Sequence, residues 1–204
     1  MKILTSLQMK QAEAAAVARG TSYGQLMENA GAAAADFLRQ LARQKVLAHR
    51  VLLLCGRGNN AGDAFVMARL LAASGWQAEL LLLCGTSFSE LAGQNFKRLP
   101  PEARVCSPAA ANFAAPFLVD GVFGTGFHGS LPAGVLPAFE KANAAGGARI
   151  ALDVPSGLNC DTGEACEGSF SALHTLTFGA YKPALVMPGC AGLCGQVHCL
   201  QIGL

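Results

Sequence analysis

Leu52-Leu53-Leu54-Cys55-Gly56-Arg57-Gly58-Asn59-Asn60-Ala61-Gly62-Asp63 is the stretch that decides how this chain is read. A short apolar run empties into a loop of glycines and side-chain amides, and a helical pattern from Phe65 to Ser74 follows at once. Strand, glycine loop and helix N-terminus together suit an anion, because backbone N–H groups approach it closely and the helix dipole adds partial positive charge. The loop departs from the usual dinucleotide fingerprint, G-x-G-x-x-G. Its glycines are Gly56, Gly58 and Gly62, so the third comes one position late. The next strand, 78–84, carries its only acid, Glu79, near the start and ends in Cys84-Gly85-Thr86. No carboxylate stands where a dehydrogenase holds its ribose. An ordinary nicotinamide dehydrogenase is disfavoured. A tight turn with Asn and Asp as cap residues remains the plainer reading of the loop by itself.

Outward from this stretch, two helices open the chain. One runs from near Ser6 to a stop at Gly20; the second is announced by Ser22-Tyr23-Gly24-Gln25 and carries Leu26, Met27, Ala30, Ala34, Phe37, Leu38 and Leu41 at helical spacing. Leu26, Met27 and Phe37 suit a core or an interface equally. Further strands are predicted at 117–120, 149–153, 174–178 and 196–202 beside 51–55 and 78–84, with helices near 62–74, 89–98 and 133–145. Gly75 and Gly146 stand where left-handed helix ends are wanted. Apolar strands alternating with amphipathic helices predict an α/β chain, a Rossmann-like three-layer αβα sandwich with a mostly parallel central sheet.

The 204 residues fit one domain over 1–204, with no repeat or linker to divide it. Hydrophobic residues make up 52 % and charged residues 14 %, which excludes a disordered chain. A net charge of +2 with interspersed signs gives no footprint for nucleic acid, and no basic run marks a membrane surface. Eight cysteines, without a C-x-x-C pair or a zinc-knuckle context, read as reduced thiols. No leader is legible after Lys2 and no apolar run is long enough to span a bilayer, so the expected compartment is the cytoplasm.

In a doubly wound sheet, ligands bind beyond the carboxyl ends of the strands. Three loops leave those ends: 56–63, Asp120 to Ser130, and Asp153 to Gly163. Asp120 and Asp153 each close a buried strand, where a carboxylate needs a partner, a cap or a cation. Asx-turns would satisfy either one singly. Asn60, Asp120 and Ser156 offer amide, carboxylate and hydroxyl oxygens, a set for a hard cation rather than a soft metal. His128 lines a pocket or lies on the surface, and Lys182 reaches a substrate phosphate or is simply solvated.

Five motifs in order resemble the YjeF amino-terminal domain family, the NAD(P)H-hydrate epimerases. They are Leu26-Met27-Glu28-Asn29-Ala30-Gly31, Gly56 to Asp63, Asp120 to Gly126, Asp153-Val154-Pro155-Ser156-Gly157, and Thr177 to Pro183. The resemblance covers nearly the whole chain. It implies interconversion of the R and S hydrates of NADH and NADPH, with Asn59, Asn60, Ala61, Gly62, Asp63, Gly124, Thr125, Gly126, Phe127, His128, Gly129, Ser130 and Asp153 on the hydrated dinucleotide. It also implies potassium on Asn60, Asp120 and Ser156, a homodimer, and a functional link to an ADP- or ATP-dependent NAD(P)H-hydrate dehydratase. Many relatives carry that dehydratase as a second domain, so this chain is a stand-alone epimerase or one domain of a longer protein. Asp153 is the expected catalytic carboxyl, protonating a departing hydroxyl and activating water. A non-catalytic binding or scaffold module of the same fold is the alternative. Where the family's loop has glycine, this chain has Ala61 and Ala64, which tolerate a positive φ poorly. At position 121, often alanine in relatives, it has glycine.

Overall fold

The computed structural model describes residues 1–204. Its centre is a sheet of seven strands: β1 (Arg50–Cys55), β2 (Gln77–Leu82), β3 (Ala103–Cys106), β4 (Phe117–Gly121), β5 (Ala148–Leu152), β6 (His174–Phe178) and β7 (Gln196–Leu200). Their order is β3-β2-β1-β4-β5-β6-β7, and every pairing is parallel. The expected α/β class is therefore present, with the sheet wholly parallel. Six helices accompany it: α1 (Ser6–Ala18), α2 (Tyr23–Lys45), α3 (Asn59–Ala72), α4 (Glu90–Phe96), α5 (Leu136–Ala144) and α6 (Ala191–Cys194).

Strand pleat explains why the apolar runs are continuous. Leu53, Cys55, Val119, Ile150 and Leu152 face one layer, packing with α2 and α3 through Ala34, Leu38, Phe65 and Leu71. Leu52, Leu54, Leu118 and Ala151 face the other, against Phe139 and Ala142 of α5. Each such Val, Leu, Ile or Phe side chain removed from water contributes about 1.5–3 kcal/mol, and both faces must be covered. Leu26 and Met27 resolve as buried, and Phe37 is half-buried against the rings of His174 and His198.

Three expectations need correction. The helix after β1 starts at Asn59, three residues earlier than predicted, with Gly58 as its extended N-cap. Ala61 and Ala64 therefore sit inside a right-handed helix, and neither has a positive φ. Gly75 is left-handed (φ 82), whereas Gly146 is not; α5 ends at Ala145 in extended conformation. Finally, a seventh strand, β3, is not among those predicted; it is an edge strand of four residues, too short to show a pattern.

Because the chain runs outward from β1 to β3 and then returns to β4, the strand order reverses between β1 and β4. There the loops diverge and leave a crevice. α1 lines that crevice through Met9, Lys10 and Glu13. The Ser6 amide and hydroxyl both donate to Asp161, in the loop after β5, while Ile3 and Leu4 pair with Tyr181 after β6. A capping box of Thr5 and Gln8 fixes the start of the helix.

Candidate active site

Gly56 lets β1 turn sharply. A Cβ there would stand 2.1 Å from the Val122 carbonyl, so only glycine permits the β1 and β4 loops to meet. Asn59 and Asn60 then form the first turn of α3, whose leading amides have no partner within the helix. Ser89 donates to Asn59 Oδ1 at 2.8 Å and holds that amide at the rim. Asn60 is 7 % exposed, and both its side-chain nitrogen and oxygen lack a hydrogen-bond partner. A buried amide left like this costs about 1–3 kcal/mol. A partner from outside the chain, a water or a bound group, would satisfy it.

Asp120 and Ser156 meet beneath the same loops, both fully buried. Ser156 donates to Asp120 twice at 2.7 Å, from its amide and its hydroxyl, and the Val122 amide adds a third bond at 3.1 Å. The Phe123 amide in turn donates to Ser156 Oγ at 2.8 Å. Burial outweighs these bonds and pushes Asp120 up to about 7. A cation beside the carboxylate would offset that desolvation.

Asp153 leaves β5 with φ 64, a left-handed conformation that β-carbon residues rarely adopt. Its Oδ1 accepts from Lys182 Nζ at 2.5 Å and, more loosely, from Thr177 Oγ1 and the Phe178 amide at 3.4 Å. Lys182 is fully buried, and its other acceptors are Thr177 Oγ1 at 2.8 Å and the Phe178 carbonyl at 3.0 Å. All three ammonium donors are thus used. This corrects both expectations for Lys182: it neither reaches out to a phosphate nor is solvated. The other Asp153 oxygen, Oδ2, accepts no hydrogen bond from the protein and lies toward Gly124.

These elements enclose a cleft of about 490 Å³, within the range of small-molecule sites. Asn59, Asn60, Asp63, the segment Gly124 to Phe127 and Asp153 all line it, together with Lys182. Ala61 and Gly62 are buried behind it, Ala61 in the core and Gly62 against Met27. His128, Gly129 and Ser130 are exposed and stand outside the lining, with His128 beside Asn159 at 3.3 Å. Sequence reasoning did not find Glu13, Lys10, Tyr23 or Arg57, which line the cleft from α1, the start of α2 and the β1 loop. Glu13 carried no signal, since one acid on a helix otherwise rich in alanine resembles any surface residue.

Charge in the cleft is crowded. Burial raises Asp63 well above the usual carboxylate range even though part of it reaches the cleft, and the carboxylates of Asp153 and Glu13 add to this. Burial also raises Glu13, with Asp153 pushing the same way against Lys182 and Lys10.

A model of the YjeF-related protein N-terminus matches residues 23–184. An NAD(P)H-hydrate epimerase of Rhodopirellula baltica is 38 % identical, over 88 % of this chain and 75 % of its own length. One from Rhodobacter capsulatus is 37 % identical, over 90 % and 91 %. A bifunctional NAD(P)H-hydrate repair enzyme of Pyrobaculum aerophilum is 35 % identical over the whole chain, which spans 42 % of that protein. In fold, the crystal structure of yeast ynu0 superposes with a TM-score of 0.77 over 90 % of this chain and 83 % of its own, at 22 % identity. Matched over most of its length by the family model and by full-length relatives, the chain belongs to the YjeF-related N-terminal family.

Proposed function

We propose that this chain is an isomerase, an NAD(P)H-hydrate epimerase that interconverts the R and S hydrates of NADH and NADPH as a metabolite-repair enzyme. The names of its relatives support this reading, and one observation carries it: Asp153, held in a left-handed turn, has one oxygen clamped by Lys182 and the other turned to the cleft. The hydrated ring carbon beside nitrogen is a hemiaminal. Inversion breaks its C–O bond with the help of an acid, passes through a cationic iminium and adds water from the opposite side. A clamped carboxylate favours the iminium electrostatically and takes a proton from water. Arg57 and Lys10 line the cleft without an ion-pair partner, which suits the substrate's phosphates.

Potassium belongs to the same proposal. The orphaned amide of Asn60 and the oxygens of Asp120 and Ser156 fit a hard cation, and no group of three His, Cys, Asp or Glu competes with them as a soft-metal site. Such an ion supplies positive charge that offsets the substrate's phosphates and sets the three loops in place. A separate or fused ADP- or ATP-dependent NAD(P)H-hydrate dehydratase would be the functional partner, a homodimer would be the assembly, and the cytoplasm, where eight free thiols stay reduced, the compartment. No helix is long and apolar enough to cross a membrane.

The deciding experiment follows purified R hydrate of NADPH by chromatography against the uncatalysed rate, with and without potassium. The expected result is acceleration that falls by about 100-fold or more in Asp153→Asn. A folded parent that binds hydrate without speeding its epimerisation would favour the binding module.

A further inference from the structure

Inversion that passes through a trigonal carbon makes a demand that one carboxyl group does not meet. Hydroxyl leaves from one face of the ring and water arrives at the other, so protons are handled on both faces. Asp153 presents a single free oxygen from the sheet side of the cleft. Two further carboxyl groups line the same cleft, Glu13 and Asp63, and neither makes a hydrogen bond or an ion pair with the protein. Asp63 stands one helical turn after Asn60 on α3, in the wall that leads into the sheet. Glu13 arrives from α1, which is fastened across the ends of β5 and β6 by Ser6, Ile3 and Leu4. The unpartnered, 7 % exposed Asn60 amide marks this cleft independently as made for a polar ligand.

We propose that Glu13 is the second proton-transfer group, serving the ring face turned away from Asp153. This rests on the epimerase reading above. In one direction the Glu13 carboxylic acid protonates the hydroxyl, the C–O bond breaks with its electron pair leaving on water, and the ring nitrogen lone pair forms the iminium. Water on the opposite face then adds to the carbon while Asp153 takes its proton, and the C=N pair returns to nitrogen. The reverse direction exchanges the roles, and solvent returns both carboxyls to their starting states. No oxidant or further reactant enters. Burial and the Asp153 charge favour the protonated form of Glu13, whereas Lys182 and Lys10 oppose it, so both of its states stay accessible.

Epimerisation is measured in both directions for the parent, Glu13→Gln and Glu13→Asp, with kcat, KM and the pH profile from about pH 5 to 9 and an unfolding midpoint for each. Glu13→Gln is expected to lose about 100-fold or more in kcat with KM within about threefold, and to lose one limb of the pH profile. Glu13→Asp recovers part of kcat. A Glu13→Gln enzyme with kcat within about threefold of an active parent, or with its loss confined to KM, overturns the role of Glu13 alone. A folded parent without epimerase activity overturns this inference together with the reading beneath it.

Discussion

Asp153 and Val46 are the two residues other than glycine with a positive φ, but Val46 only ends α2 on the surface. Asp153 holds such a backbone inside a cleft, at a cost of about 1–3 kcal/mol that its bonds to Lys182, Thr177 and Phe178 must offset. A quieter compensation lies behind it. A Cβ added at Gly121 would meet the Ala64 Cβ at 2.7 Å and the Asn60 carbonyl at 3.3 Å. Ala64 and Gly121 thus share one methyl-sized space, which explains how alanine on the helix goes with glycine on the strand. Gly121→Ala alone should lower stability by about 1–3 kcal/mol through overpacking. Adding Ala64→Gly, despite the helix penalty of about 1 kcal/mol, should recover part of that loss. Urea unfolding of the four proteins measures the coupling, which is expected to favour the double variant by at least about 1 kcal/mol. Strict additivity would show that the two residues do not compete.

At the scale of elements, strands and long helices were legible because burial on both sheet faces writes continuous apolar runs, as in Leu52–Cys55 and Phe117–Val119. The start of α3 was not. Asn59 and Asn60 favour turns in general, yet both lie in the first turn of the helix. Of the site, the Asp120–Ser156 pair and Asp153 were legible from strand ends, whereas Glu13 and Lys182 come from segments whose placement over the cleft no local pattern encodes. The far edge holds a testable pair: His174 of β6 and His198 of β7 lie 3.1 Å apart, with Phe37 against both rings. Burial lowers both from the ordinary histidine value of 6.5, and for His174 the charges of His198 and Lys45 add to it. Below about pH 6.5 the unfolded chain takes protons that the folded pair resists, so this contribution is lost as pH falls through the folded values. The raised Glu13, Asp63 and Asp120 act in the opposite sense, because their protonated forms favour the fold as pH falls. The difference between the parent and His198→Gln therefore isolates the pair. Between about pH 7 and 5, the parent midpoint should fall relative to that of His198→Gln. Parallel curves would remove the pair as a source of acid sensitivity.

Across the whole molecule, the reversal of strand order between β1 and β4 gathers three loops that belong to distant parts of the chain, and it gathers them imperfectly. Asn60 has no partner and Asp120 is buried as a carboxyl pushed up to about 7, so the folded chain alone carries an unfavourable polar centre. A cation that binds only the folded state would repay this by mass action, contributing about 1.4 kcal/mol at tenfold and 2.7 kcal/mol at a hundredfold excess over its Kd. For a chain of this size that amounts to a rise of about 3–10 °C in the unfolding midpoint. The expected result is a midpoint that climbs with potassium chloride and not with choline chloride at equal ionic strength. Asn60→Ala separates this from general salt effects. Removing an unsatisfied amide should leave the potassium-free protein as stable as the parent, or more so, while abolishing the response to the ion. A response that survives in Asn60→Ala would put the ion elsewhere, and equal responses to both salts would leave the Asn60 amide to the substrate.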